Sequence, residues 1–193
     1  MKTICIIFVL LLSSYVQAQT TATISEKQQT ISWIGKAAVG GYAPEGTLEI
    51  KRASVTFTSE EITDLQLVVD MKSLDQENKQ LQDHLLEKDF FYTEKYPEAS
   101  FKLSNATAIV NGMVQLKGMM TIRGETQEEN IEATVVNSEE NITLQFEHIM
   151  DRTRYGVNHN SPTLFKRLKE NAIADDFVLK GKLLFNANLI KAH

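Results

Sequence analysis

The sequence predicts an all-β fold, an antiparallel up-and-down β-barrel of eight strands with two short helices. Three observations lead to this prediction. Apolar and polar residues alternate along most of the chain after residue 19, which is the period of a strand with one buried face. Short turn sequences such as Asn111-Gly112 separate the alternating segments. The 193 residues are 42% hydrophobic and 23% charged, which is typical of a chain that buries a globular core.

The N-terminal segment reads as a secretory signal peptide covering residues 1–18. Lys2 supplies a positive charge, residues 4–12 are apolar, and the segment ends in small residues up to Ala18 where signal peptidase cleaves. The apolar run is too short to span a bilayer comfortably. We therefore expect cleavage after Ala18 and a periplasmic or secreted domain at 19–193. That domain would contain no cysteine, because Cys5 leaves with the signal peptide.

The first half of the sheet is expected before residue 75. In the last of its strands every second residue of 65–71 is apolar, whereas Gln66 and Asp70 occupy the other parity. The same alternation predicts strands, in chain order, at residues 22–26, 30–37, 47–58 and 61–71.

An up-and-down meander is expected from about residue 99 to residue 147. Asn111 and Gly112 can both adopt positive φ, so they close a two-residue hairpin between residues 106–110 and 113–122. Neighbours joined by such tight turns are antiparallel, and without long cross-connections a closed barrel is favoured over a sandwich. The remaining turns are predicted at 123–125 and 137–140, and the remaining strands at 131–135, 142–147 and 177–187.

Two segments are predicted as short helices. Residues 78–87 place Leu81 and Leu85 four positions apart among residues that favour helices. Ser161 and Pro162 match an N-cap followed by proline at the first helical position, which predicts a helix at 163–169.

Several function classes lack their sequence signals. The formal net charge is −5 and the basic residues are dispersed, so no basic face suits a nucleic acid. No nucleophile elbow or glycine-rich phosphate loop is present. We therefore expect no catalytic residue, no metal and no nucleic-acid partner. None of the four histidines lies at metal-ligand spacing from another. They are His84, His148, His159 and His193.

Aromatic residues crowd the segment that follows the first predicted helix. Such a segment must cover something apolar. It either closes the end of a filled core or forms the wall or gate of a ligand cavity, and both roles can coexist. The residues are Phe90, Phe91, Tyr92, Tyr96 and Phe101.

This segment also resembles a known family. The run DHLLEKDFF at 83–91 and the run EKYPEASF at 94–101 are similar to the signature of the YceI-like, polyisoprenoid-binding family. Further similar runs, in the family's order, are WIGK at 33–36, VVDMKSL at 68–74, GMMTIRG at 118–124 and DRTRYG at 151–156. The resemblance therefore covers nearly the whole of residues 19–193.

The resemblance implies a lipocalin-like barrel, exported in bacteria, that holds a long isoprenoid or similar amphiphilic lipid. It implies no cofactor and no established catalytic residue, with an isoprenoid-quinone-like molecule among the ligands it allows. A homodimer is left open. Many relatives carry a His-x-Gly element after the first tryptophan, where this chain has YAPEG at 42–46, so a role of that histidine does not transfer.

The candidate ligand-binding residues are those of the inward parity together with the aromatic segment. Parity alone leaves two alternatives open: a structural or protein-interaction barrel with a filled core, and, less favoured, a lipid-modifying enzyme. The expected cavity lining is Trp33, Leu65, Leu67, Val69, Phe90, Phe91, Phe101, Ile122, Leu144, Phe146, Leu179 and Leu183.

Overall fold

The computed structural model describes residues 19–24, 29–138, 141–168 and 171–187, so the predicted signal peptide and Cys5 lie outside the described residues. The described strands are β1 (Thr20–Ile24), β2 (Thr30–Ile34), β3 (Glu45–Phe57), β4 (Glu61–Gln76), β5 (Glu98–Leu103), β6 (Thr107–Ala108), β7 (Met113–Ile122), β8 (Glu125–Asn137), β9 (Asn141–Asp151) and β10 (Asp176–Ala187). Helix α1 spans Lys79–Leu86, and a 3-10 helix spans Arg152–Tyr155.

The strands form one closed antiparallel sheet. Strands β1 and β2 lie end to end, since both pair with β3 on one side and with β10 on the other. Strands β5 and β6 likewise pair with successive parts of β4. Counting each of these pairs as one position, the sheet has eight positions in chain order, and the pairing of β10 with β2 closes it. The predicted eight-stranded up-and-down barrel is therefore confirmed.

The alternation predicted for the strand interiors is confirmed as well. On β4, Leu65, Leu67, Val69 and Met71 are all buried. The register between β9 and β10 is continuous from Asp176 opposite Asp151 to Asn186 opposite Asn141. No irregularity therefore reverses the parity of β10.

The Asn111-Gly112 turn is confirmed, but the strand predicted before it is mostly wrong. Both residues have positive φ, 52° and 72°, and Val110 and Met113 exchange backbone hydrogen bonds across the turn. Of 106–110 only β6 is a strand, and it pairs with β4 instead of β7. The strand that flanks β7 is β5, because its residues 100–103 pair with 118–121.

Of the two predicted helices, the first is confirmed and the second is wrong. Asn78 caps α1 by accepting a hydrogen bond from the Leu81 backbone, and Leu85 is buried. Residues 163–168 form turns, although Phe165 bonds back to Ser161 for a single turn. Leu164 and Phe165 are 52% and 51% exposed, so this segment has no buried apolar face to stabilise a helix.

The barrel has a closed end and an open end. The tight turn after β3 and the Asn111-Gly112 turn lie at the closed end, as does the backbone hydrogen bond between Ser138 and Asn141 that joins β8 to β9. The interior at this end is packed, since its side chains are at most 2% exposed and none of them borders the cavity at the other end: Val55, Phe57, Ile62, Val114, Ile142 and Phe185. The open end is crossed by residues 35–44, by α1 with residues 87–97, and by residues 152–168 and 171–175.

Candidate functional site

The half of the barrel toward the open end encloses an apolar cavity of about 220 Å³. A single water molecule needs only ~10–15 Å³, so this space is large enough for part of an organic ligand. Inward side chains of β4 from Leu65 to Met71 line it, and at ~3.3 Å per residue they extend over ~20 Å. The cavity is therefore long and surrounded almost entirely by hydrocarbon.

The structure brings the sequence-predicted site residues together on the wall of this cavity. Ten of them belong to the strands or lie at their ends, and Phe90 and Phe91 belong to the segment after α1. Their participation in ligand binding stays a prediction. The twelve are Trp33, Leu65, Leu67, Val69, Phe90, Phe91, Phe101, Ile122, Leu144, Phe146, Leu179 and Leu183.

Three segments cover the open end of the cavity. Helix α1 directs Leu81 and Leu85 inward, and Phe90 follows from the next turn. Tyr42, which is largely exposed, and Ile173 come from the other two segments. Backbone bonds between residues 36–38 and 172–174 hold those two segments together. The predicted aromatic segment thus both closes the barrel and forms part of the cavity wall.

Glycines make room for three aromatic rings on the wall. A Cβ atom added to Gly46 would lie 2.8 Å from the ring of Trp33, and one added to Gly118 would lie 2.5 Å from Phe101. Gly181, directly opposite Phe146 in the ladder, would likewise bring a Cβ to 2.5 Å from that ring. The rings can therefore lie against the strands only because these positions lack a side chain.

Arg152 anchors the cover to the barrel. Its guanidinium donates hydrogen bonds to the backbone oxygens of Ala174, Val157 and Ile173 at 2.7–3.0 Å, and it lies 3.5 Å from the Asp175 carboxylate. Burial lowers the pKa of Arg152, while the Asp175 charge opposes that shift. Because these partners are mostly backbone atoms, Arg152 positions a loop and leaves little polarity for the cavity.

Two histidines pack with Phe90 at the edge of the cover. The rings of His84, Phe90 and His159 are mutually 5.0 Å apart between centroids. Burial lowers the pKa of His159, and the neighbouring His84 lowers it further. The described residues contain no group of three or more His, Cys, Asp or Glu side chains arranged to hold a metal.

A buried polar cluster lies between β8 and β9 on the inward side. Glu129 is 7% exposed and contacts His148, which lines the cavity, as well as Arg154 and Tyr155. Sequence reasoning missed Glu129 and gave His148 no role. The alternation along the strands could have identified both residues as inward-pointing, because Glu129 shares the parity of Ile131 and His148 shares that of Phe146.

No helix among the described residues has the length and apolarity needed to cross a membrane.

Comparisons with known proteins agree with this fold. Burkholderia cenocepacia BcnA has a TM-score of 0.67 at 22% identity, covering 81% of this chain and 95% of that one. A polyisoprenoid-binding domain from Saccharophagus degradans, implicated in plant cell wall breakdown, has a TM-score of 0.62 at 14% identity, covering 88% and 99%. The Campylobacter jejuni YCEI protein has a TM-score of 0.55 at 21% identity, covering 66% and 74%.

A search of curated proteins finds no match. The model of the YceI-like domain matches residues 19–185, which is most of the sequence and includes every strand of the closed sheet in whole or in part. The chain therefore belongs to the YceI-like domain family.

Proposed function

We propose that this protein is a non-enzymatic binding protein that holds a long-chain isoprenoid or similar amphiphilic lipid inside the barrel. The observation that carries the proposal is the apolar cavity of about 220 Å³ beneath α1 and the aromatic segment. Membership of the YceI-like family supports it, as does the fold shared with the polyisoprenoid-binding domain of Saccharophagus degradans.

Apolar burial is strong enough to hold such a ligand. Each buried CH₂ contributes ~0.8 kcal/mol, so about ten carbons contribute ~8 kcal/mol before the cost of ordering the chain. The ligand needs no charged anchor, which agrees with a wall made of side chains such as Leu67, Leu144 and Leu183. A filled-core barrel would have side chains in this space.

Export and a carrier, storage or sequestration role complete the proposal. The apolar segment at 4–12 followed by Ala18 supports export to the periplasm or beyond. Intact-mass measurement of the exported protein tests this step. A species that begins at Gln19 and contains no free thiol is expected, and an exported species that retains residues 1–18 would contradict it.

Lipid analysis tests the binding function. The protein is purified from its own host without detergent, and the ligand is identified by native mass spectrometry and by solvent extraction. We expect a lipid at up to one molecule per barrel. Wild-type protein that never carries a lipid and does not take one up after delipidation would contradict the proposal.

Leu179→Trp places a bulky ring in the same space. Leu179 is half-buried on the cavity wall, so the indole is expected to occupy volume that the lipid uses. The lipid-to-protein ratio should fall strongly while the denaturant midpoint of delipidated protein changes little. Leu184→Trp, on the outward parity of the same strand, is the matched control and should retain the lipid.

A further inference from the structure

The polar cluster between β8 and β9 interrupts an otherwise apolar interior. The β8–β9 ladder in the described residues ends at Ala133 opposite Phe146, short of the open end. Beyond that pair the 3-10 helix bonds to β8, because Arg154 donates to the Glu128 backbone oxygen and Gln127 donates to the Arg154 backbone oxygen. Glu129 therefore lies where the two strands separate.

Glu129 has the contacts of an ionised carboxylate. Its Oε1 accepts from Arg154 Nη1 at 2.6 Å and from the Tyr155 hydroxyl at 2.8 Å. Its Oε2 lies 3.1 Å from His148 Nε2. Arginine is always charged, so it compensates the buried carboxylate. Burial and the Glu129 contact both raise the pKa of Tyr155, which keeps its hydroxyl as a donor.

This arrangement determines which ring nitrogen of His148 carries the hydrogen. A carboxylate can only accept, so Nε2 must carry the hydrogen that is shared with Glu129. In the neutral imidazole Nδ1 is then an acceptor, and none of the described residues donates to it. His148 lines the cavity, and the ladder places it opposite Leu179, which is itself opposite Trp33.

An acceptor on an apolar wall and a hydroxyl on a buried lipid are complementary. When the lipid enters, both the histidine nitrogen and the lipid hydroxyl lose their contact with water. Leaving either group without a partner costs free energy, and a hydrogen bond between the two groups recovers that cost. Of the other polar groups, Lys36 and Asp176 form an ion pair whose side chains are about half exposed. The buried Trp33 Nε1 has no partner among the described residues, but it only donates, so it does not distinguish an alcohol oxygen from an ether oxygen. A hydroxyl at His148 would be the more strongly desolvated contact.

We propose that Nδ1 of His148 accepts a hydrogen bond from a hydroxyl group of the bound lipid, so that the cavity selects long-chain alcohols over the matching ethers. This inference rests on the proposed lipid-binding function. It names a polar recognition position inside the barrel and restricts the ligand class to chains that carry a hydrogen-bond donor.

The test compares two probes that differ only in that donor, geranylgeraniol and geranylgeranyl methyl ether. Trp33 is the single tryptophan of the sequence and lies on the cavity wall, so its fluorescence reports binding to delipidated protein. Both probes are measured in the same buffer at about pH 8. The alcohol is expected to bind about three- to ten-fold more tightly than the ether.

Variants separate recognition from general wall effects. His148→Phe keeps an aromatic ring but removes the acceptor, so the alcohol-to-ether ratio should fall to about one. A glutamine side chain can donate as well as accept, so Glu129→Gln no longer requires that Nε2 of His148 carries the ring hydrogen. Nδ1 is then less strictly an acceptor, and the alcohol-to-ether ratio should shrink. Leu184→Ala, on the outward parity of β10, leaves the cavity wall unchanged and should retain the wild-type ratio.

The outcomes distinguish this inference from the proposed function. Equal affinity of the two probes for wild-type protein, or an undiminished ratio in His148→Phe, overturns the role of His148 and leaves lipid binding intact. Binding of neither probe contradicts the proposed function itself. If the variants do not fold, nitrogen NMR of the wild type decides: the alcohol should shift the Nδ1 resonance of His148, and an unshifted resonance overturns the inference.

Discussion

Strand β10 passes through two different interiors. Near its C-terminal end Phe185 is fully buried opposite Ile142 in the filled half, whereas Leu179, six residues earlier with the same parity, is half-buried on the cavity wall. The alternation is identical in both places. Alternation therefore determines which way a side chain points, while the elements opposite it determine whether the space is filled.

The largest difference between the two halves should appear when a ring is removed. Phe185→Ala should lower the free energy of unfolding by about 3–5 kcal/mol, because the packed closed end cannot collapse onto the gap. Phe146→Ala, on the neighbouring strand beside the cavity, should cost clearly less, since its ring already borders empty space. Denaturant unfolding of delipidated proteins measures both, and equal losses would mean that the two halves are packed alike.

The reverse change, adding volume, provides a matched pair of valines. Val55→Phe in the filled half should cost about 1–3 kcal/mol by overpacking. Val69→Phe points into the cavity and should leave the stability of delipidated protein nearly unchanged while displacing lipid. The two denaturant midpoints and the lipid content of Val69→Phe are the measurements. A large loss of stability in Val69→Phe would contradict the cavity.

A smaller effect is expected at the closed end, in the turn instead of the core. Gly112 has a φ of 72°, a conformation that costs an L-residue about 1–2 kcal/mol. Gly112→Val should lose stability of that order, and Gly112→Asn should lose less because asparagine tolerates this region. Chemical denaturation checks the order of the three proteins, and an unaffected valine variant would argue against the turn geometry.

The smallest effect concerns acid sensitivity at the open end. The pKa of His159 is lowered by burial and by His84, with Arg152 acting in the same direction and Asp89 opposing it. The unfolded chain therefore binds a proton at a higher pH than the folded protein. Stability should fall as the pH decreases below about 6.5, and this fall should end once the pH is below the folded-state pKa.

His159→Phe isolates that contribution. The variant should lose less stability than the wild type between about pH 7.5 and pH 5, whereas at the upper pH the imidazole is neutral in both states. Urea midpoints at the two pH values give the comparison. An identical decrease in variant and wild type would show that His159 does not contribute.

Much of the fold was predictable because it depends on local patterns. The parity of residues 65–71 and the Asn111-Gly112 turn each follow from a few neighbouring residues. The pairing of β6 with β4 depends on distant chain segments, and no local pattern encodes it. The helix predicted after Pro162 failed for the same kind of reason, since a good N-terminus does not supply a surface for Leu164 and Phe165 to pack against.

The site was predictable in its apolar part and missed in its polar part. The alternation of apolar and polar residues predicts that Leu67 and Leu183 point inward, and the structure places both on the cavity wall. Glu129 and His148 occupy the same parity, but polar residues at inward positions are usually taken as strand ends or surface. Only the separation of β8 from β9 explains how a carboxylate can be buried there with three partners.

One of the glycines beneath the wall aromatics makes the width of the cavity adjustable. A Cβ atom added to Gly46 or Gly118 would clash with a backbone oxygen of the neighbouring strand, that of Asp75 or Lys102, so alanine at either position would disturb strand pairing. At Gly181 the close atoms all belong to the ring of Phe146, which one added methyl group would push toward the barrel axis. A single glycine-to-alanine exchange at this position would therefore narrow the space for a ligand without any change in the apolar pattern.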